Sequence, residues 1–178
     1  MKAVTGFVLR QWPLLAGLIS AAMLGIAHGF ETFGGLAPCV LCLRQREIYW
    51  VALAVAAIGY LLQRVNCRSW MVRAACFALA ACFAVGVGVA VYHAGAEWKW
   101  WPGPQACATT GAKASAAGMS ELLAGAKVTM PHCDQAAWVF LGLSMAGWNA
   151  LISLGLTVVS LIAGWKRPWI APPAPITV

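Results

Sequence analysis

Cys39-Val40-Leu41-Cys42-Leu43-Arg44-Gln45-Arg46 closes a short polar loop and opens an apolar run that lasts to Leu62. A helix starting at Cys42 sets Arg46 at i+4, one turn along on the same face. The Cys42 thiol then faces both the positive end of a helix and a fixed guanidinium. Both favour the thiolate, which is the reactive form of cysteine. Counting back about 20 residues from Leu62, one bilayer thickness, reaches Leu43. The cysteine pair therefore belongs at a membrane surface.

The rest of the chain has the composition of an integral membrane protein. Its 178 residues are 62% hydrophobic and 10% charged, against about 25% charged in soluble domains. Four spans are expected, at 12–30, 43–62, 70–92 and 145–164, forming one all-α membrane domain over 1–178. Pro13 is tolerated in the first turn of the first span. Gly34-Gly35 and Pro38 break the chain before the cysteine pair. The net charge of +7 does not indicate a nucleic-acid partner, because it is sorted by side. Lys2, Arg10, Arg64, Arg68, Arg73, Lys166 and Arg167 fall at the two ends and in the loop after Gln63, with no acid among them. Arg44, Arg46, Lys99, Lys113 and Lys127 share the other segments with all five acids, Glu31, Glu47, Glu97, Glu121 and Asp134. Positive charge stays inside, so both termini are expected in the cytoplasm. Loops 31–42 and 93–144 are expected outside.

The long outer segment starts with Glu97-Trp98-Lys99-Trp100-Trp101, an interface belt. Met119, Leu122, Leu123 and Ala126 recur at helical spacing, which predicts a short amphipathic surface helix. Cys39, Cys42, Cys107 and Cys133 all lie on the outer side, where disulfides persist. Cys67, Cys76 and Cys82 read as small apolar residues. A C-x-x-C disulfide closes too small a loop to stabilise much, so its use is chemical or metal-binding. A zinc reading takes Cys39, Cys42, Cys133 and His132 or Cys107. The second pair is split by 25 residues, unlike the close-spaced ligand motifs of zinc sites, and no metal is expected. Cys107 and Cys133 fit either a plain structural bridge or an exchangeable disulfide on a lipid-anchored loop.

Three stretches carry a resemblance. Pro38-Cys39-Val40-Leu41-Cys42-Leu43-Arg44-Gln45-Arg46 looks like a C-x-x-C-x-x-x-R motif. Pro102-Gly103-Pro104-Gln105-Ala106-Cys107 looks like a P-x-P entry to a long loop. Cys133, Trp138 to Met145 and Trp148 look like the approach to a last helix. Together they resemble the disulfide bond formation protein B family, quinone-linked thiol oxidases of bacterial inner membranes. The resemblance covers nearly the whole chain. It implies a four-helix bundle holding ubiquinone or menaquinone near the outer surface, and a soluble periplasmic thioredoxin-fold partner of the DsbA type. It also implies that Cys107 takes the mixed disulfide and that Cys133 leaves and exchanges with Cys39. Cys42 then faces the quinone as a thiolate, Arg46 holds that thiolate and a quinone oxygen, and His93 lies near the ring. Other readings are a paralogue with a dedicated partner, a thiol enzyme of the vitamin K epoxide reductase type, or a non-catalytic four-span protein braced by disulfides.

Overall fold

A computed structural model describes residues 2–65, 67–104, 133–134 and 136–166, with no side chains for 2–5. The expected amphipathic helix, Cys107 and His132 lie outside the described residues. Among those described, five helices and one hairpin follow in order: α1 (Lys2–Arg10), α2 (Trp12–Thr32), α3 (Val40–Arg64), α4 (Ser69–Glu97), β1 (Val139–Phe140), β2 (Leu143–Ser144) and α5 (Met145–Lys166). Three of them, α2, α4 and α5, are long and apolar enough to cross a membrane. The fourth long helix, α3, carries Arg44, Gln45, Arg46 and Glu47 in its first turns and Gln63 and Arg64 at its end.

Burial is inverted relative to a soluble bundle. Ser20, Ser153 and Ser160 are buried, while Leu18, Ile26, Val51, Ile58, Leu61, Val85, Leu151 and Leu154 are exposed. That pattern suits an apolar solvent, where small and polar side chains hold helices together. Close approach supplies the packing. A Cβ on Gly59 would sit 3.0 Å from Ala75 Cβ, and one on Gly86 would sit 3.4 Å from Ser153 Oγ. Trp12 Nε1 donates to Ser160 Oγ at 2.8 Å, tying α2 to α5. The main contacts run α2 to α3, α3 to α4 and α4 to α5, while α2 and α5 touch little. A gap therefore remains between α2 and α5.

Three departures from expectation bear on the site. First, α3 begins at Val40 with Cys39 as its N-cap, not at Cys42. The Cys39 side chain accepts from the Cys42 amide. Second, α4 continues past Tyr92 to Glu97. Its 29 residues reach about 43 Å, well beyond a hydrocarbon core of about 30 Å, and carry His93 and Glu97 as helical residues. Third, the stretch before α5 is a two-residue hairpin rather than plain loop, pairing Val139 with Ser144 and Phe140 with Leu143. Leu141 (φ 51°) and Gly142 (φ 78°) supply the two positive φ angles that such a turn requires.

Candidate functional site

The cysteine pair sits where a loop becomes a helix. The extended Cys39 backbone (φ −76°, ψ 171°) turns its sulfur over the first turn of α3, 3.4 Å from the Cys42 amide nitrogen. Cys39 Sγ and Cys42 Sγ share a hydrogen bond at 3.2 Å, and both cysteines are free. His93 Nε2 approaches Cys39 Sγ to 3.6 Å from α4. These donors make Cys39 the anionic sulfur. Its pKa is lowered to about 4, first by the Cys42 hydrogen bond and then by His93, against the opposing effect of burial. The Cys42 thiol is pushed up by the same shared hydrogen bond and by burial. For the reduced pair these directions run opposite to the expected Cys42 thiolate. Cys39, as the N-cap, takes the helix-terminus stabilisation, and Cys42 keeps the proton.

Cys133 reaches the same point from the other side of the sequence. It is 2% exposed and disulfide-bonded. Its sulfur, Cys39 Sγ and a His93 ring nitrogen all lie within 4.8 Å of one another. Lys99 fixes this approach. With φ 61°, it turns the chain at the end of α4. Its Nζ donates to the Asp134 carbonyl at 2.7 Å and to Asp134 Oδ2 at 2.6 Å. Trp101 folds back beside it, stacked on Tyr92 and donating to the Tyr92 carbonyl at 2.9 Å. The cluster of Cys39, His93 and Cys133 matches the donor types of a soft-metal site, but a disulfide-bonded Cys133 has no thiolate to give.

Arg46 lies one turn beyond Cys42, as its spacing requires. Its guanidinium is held by the Glu31 carboxylate and by the Ala27 carbonyl at 2.9 Å. The Arg46 side chain is 15% exposed and that of Glu31 is 41% exposed. From there its charge acts on Cys42, favouring the anion, though as the smallest of the influences on that thiol. Glu31 was not singled out from sequence, yet it sets where the guanidinium points.

Cys39, Cys42, Arg46 and His93 line a cavity of about 660 Å³ in the gap between α2 and α5. Its walls are mainly apolar, with Met23, Ile26 and Phe30 on one side and Trp148 and Ile152 on the other. Trp138 and Phe140 of the hairpin segment also line it. They stack on each other, and Trp138 packs against Phe30, so the hairpin links α2 to α5 over the gap. Trp148 Nε1 donates to the Phe140 carbonyl at 3.0 Å and steadies the hairpin.

Polar residues not foreseen from sequence complete the site. Glu97 Oε1 lies 3.7 Å from His93 Nε2, and the Glu97 side chain is 5% exposed. Its Oε2 is buried without a partner. On the inner side of His93, buried Gln45, Asn149 and Tyr49 form a hydrogen-bonded chain. Ionisable and amide groups inside membrane helices mark working sites, and this signal was legible in the positions of Gln45, Glu97 and Asn149.

The comparisons agree with this geometry. The family model described as disulfide bond formation protein DsbB matches residues 9–163. Disulfide bond formation protein B of Methylococcus capsulatus is 32% identical over 161 residues, which covers 88% of this chain and 94% of that protein. Disulfide bond formation protein B 2 of Pseudomonas putida is 31% identical over 159 residues, covering 86% and 89%. Disulfide bond formation protein B of Xanthomonas campestris pv. campestris is 29% identical over 161 residues, covering 89% and 91%. No solved structure matches significantly. With a cysteine pair capping a membrane helix and a family match over most of its length, the chain belongs to the disulfide bond formation protein B family and is a disulfide-forming membrane oxidoreductase.

Proposed function

We propose that this chain is a thiol:quinone oxidoreductase of the bacterial inner membrane. It reoxidises a periplasmic DsbA-type dithiol oxidase and passes the electrons to ubiquinone or menaquinone. In this reading residues 1–178 form one four-span domain, α3 crosses the bilayer with the other three long helices, and both termini are cytoplasmic. The observation that carries the proposal is that Cys39 and Cys42 line an apolar cavity and that Cys133 meets Cys39 there from the other loop.

The chemistry follows from thiol–disulfide exchange, in which a thiolate attacks one sulfur and the other leaves. A partner thiolate attacks Cys107 of a Cys107–Cys133 disulfide, forming the mixed disulfide and releasing Cys133 as thiolate. The partner's second thiol displaces Cys107, so the partner departs oxidised. Cys133 attacks Cys39 of a Cys39–Cys42 disulfide, which breaks that bond and releases Cys42. Cys107 then closes back on Cys133 and frees Cys39. Two electrons have moved from the partner to the Cys39–Cys42 pair, and the outer disulfide is restored. The sub-5 Å approach of Cys39 and Cys133 supports the interloop step.

The cavity fits a ring with an apolar tail, because its polar groups cluster at one end and its walls are aliphatic and aromatic. Arg46, His93 and Cys42 would hold the ring end. A bound quinone would supply a two-electron, two-proton acceptor. The chain's part is to hold Cys39 as an anion, to keep Arg46 aimed through Glu31, and to exclude water with the Trp138–Phe140 hairpin.

The test is catalytic loss of quinone absorbance. Purified protein is mixed with a reduced DsbA-type partner and a soluble ubiquinone analogue, with Cys42→Ser run beside it. Turnover in the wild type and none in the variant is the expected result. No turnover with several quinones and partners would reject the oxidase reading.

A further inference from the structure

The buried polar side chains between α3, α4 and α5 form one directed chain. Tyr49 Oη donates to Asn149 Oδ1 at 2.6 Å. Asn149 Nδ2 donates to Gln45 Oε1 at 2.7 Å. Gln45 Nε2 lies 3.1 Å from His93 Nδ1. Tyr49 Oη also lies 3.1 Å from Ser153 Oγ, and all of these residues are buried, so water does not complete their bonding. An amide has its acceptor on one branch and its donors on the other, so direction passes along the chain. Asn149 uses its oxygen on Tyr49 and therefore turns its nitrogen to Gln45. Gln45 spends its oxygen there and turns its nitrogen to the imidazole. A neutral imidazole has one donor and one acceptor. Facing an amide NH₂, Nδ1 is the acceptor, and the ring proton is on Nε2. That atom is 3.6 Å from Cys39 Sγ and 3.7 Å from Glu97 Oε1.

We propose that Tyr49, Asn149 and Gln45 are positioning residues that hold His93 as its Nε2–H tautomer, with that N–H aimed at the Cys39 sulfur. The other tautomer would turn a lone pair toward an anionic sulfur. Turning over one amide alone would set donor against donor or acceptor against acceptor in the interior, where an unmade hydrogen bond is costly. Only a concerted reversal of both amides relieves this. Glu97 Oε1, 3.7 Å from the same nitrogen, is a second acceptor within reach of that proton when Cys39 is tied up in a disulfide. The site thus gains a fixed hydrogen-bond donor at its sulfur that is set from Tyr49, about three turns along α3.

The inference rests on Cys39 being a working sulfur of the proposed oxidase, but its readouts use neither quinone nor partner. Loss of quinone turnover and loss of the tautomer are therefore separate outcomes. The experiment is ¹⁵N NMR of the reduced, full-length protein labelled at histidine in detergent, with His93 identified by its loss in His93→Gln. A protonated Nε2 and a bare Nδ1 are expected. Gln45→Met removes the donor to Nδ1, and a share of the Nδ1–H tautomer should appear. Alkylation of Cys39, followed by mass spectrometry against pH, should then slow on its acid limb in proportion to that share, by about tenfold where every molecule has lost the hydrogen bond to the charged sulfur. A purely structural role for Gln45 would move neither. An Nδ1–H tautomer in the wild type, or a Gln45→Met protein unchanged in both readouts, would overturn the proposal. If Gln45→Met does not fold, Tyr49→Phe decides the matter on the same two readouts, since it keeps the ring and removes the donor to Asn149 Oδ1.

Discussion

Replacing Cys42 separates the causes that make Cys39 an anion. The Cys39 sulfur has three donors: the Cys42 thiol at 3.2 Å, the Cys42 amide at 3.4 Å and His93 Nε2 at 3.6 Å. The thiol is the largest influence and lowers the pKa toward about 4. Cys42→Ala removes it and keeps the amide and the imidazole. Cys42→Ser keeps a hydroxyl donor in nearly the same place. A hydrogen bond to a charged group contributes about 1.5–3 kcal/mol, and one pKa unit is about 1.4 kcal/mol. The alanine variant should therefore raise the Cys39 midpoint by about one to two units, while the serine variant stays close to the wild type. The assay is iodoacetamide alkylation of Cys39 in the reduced protein across pH. The rate should level off above about pH 5 in the wild type and above about pH 6–7 in Cys42→Ala. The sign carries over to stability. Between a folded value of about 4 and an unfolded value of about 8.5, the unfolded chain binds the extra proton. The reduced protein therefore gains stability as pH rises from about 4 toward the unfolded value and loses it as pH falls toward 4; above the unfolded value the Cys42 thiol, raised in the folded chain, keeps a proton that the unfolded chain gives up, and stability falls again. An alanine variant with an unchanged midpoint, or a wild-type midpoint near that of a free thiol, would refute the assignment of the charge to Cys39.

Two further perturbations test how the site is held. Glu31→Gln removes the charged partner of Arg46 and leaves the Ala27 carbonyl. Because Glu31 is partly exposed, the stability loss should be only about 1 kcal/mol, but the apparent KM for a quinone analogue should rise several-fold in steady-state assays with kcat less affected. Gly95→Ala would put a Cβ 2.1 Å from Trp101 Cζ2. Trp101 must then leave its stack on Tyr92, at a cost of about 1–3 kcal/mol, read as a lower thermal midpoint by circular dichroism in detergent.

The membrane class and the positions of the long helices were legible in the sequence. Hydrophobic length and the sorting of Lys and Arg depend on local composition alone. Trp12, Leu62, Met145 and the break at Gly34-Gly35 each fell within a few residues of an observed boundary. The cysteine pair and its Arg46 were also legible, since their spacing on a helix is local. Tertiary structure decided what surrounds each of the two sulfurs. That depends on Cys39 becoming the N-cap and on His93, 54 residues away, reaching it from a helix extended to Glu97. It also decided the partner of Arg46. Glu31 and Arg46 meet because α2 packs on α3, which neither residue's local sequence encodes. The hairpin at 139–144 was missed because two-residue strands leave no periodicity to read, although Gly142 marked its turn. Gln45, Tyr49 and Asn149 read locally as polar exceptions in apolar helices. Only the packing of three helices, which puts their hydrogen-bonding groups where water cannot reach, makes them a chain with a direction.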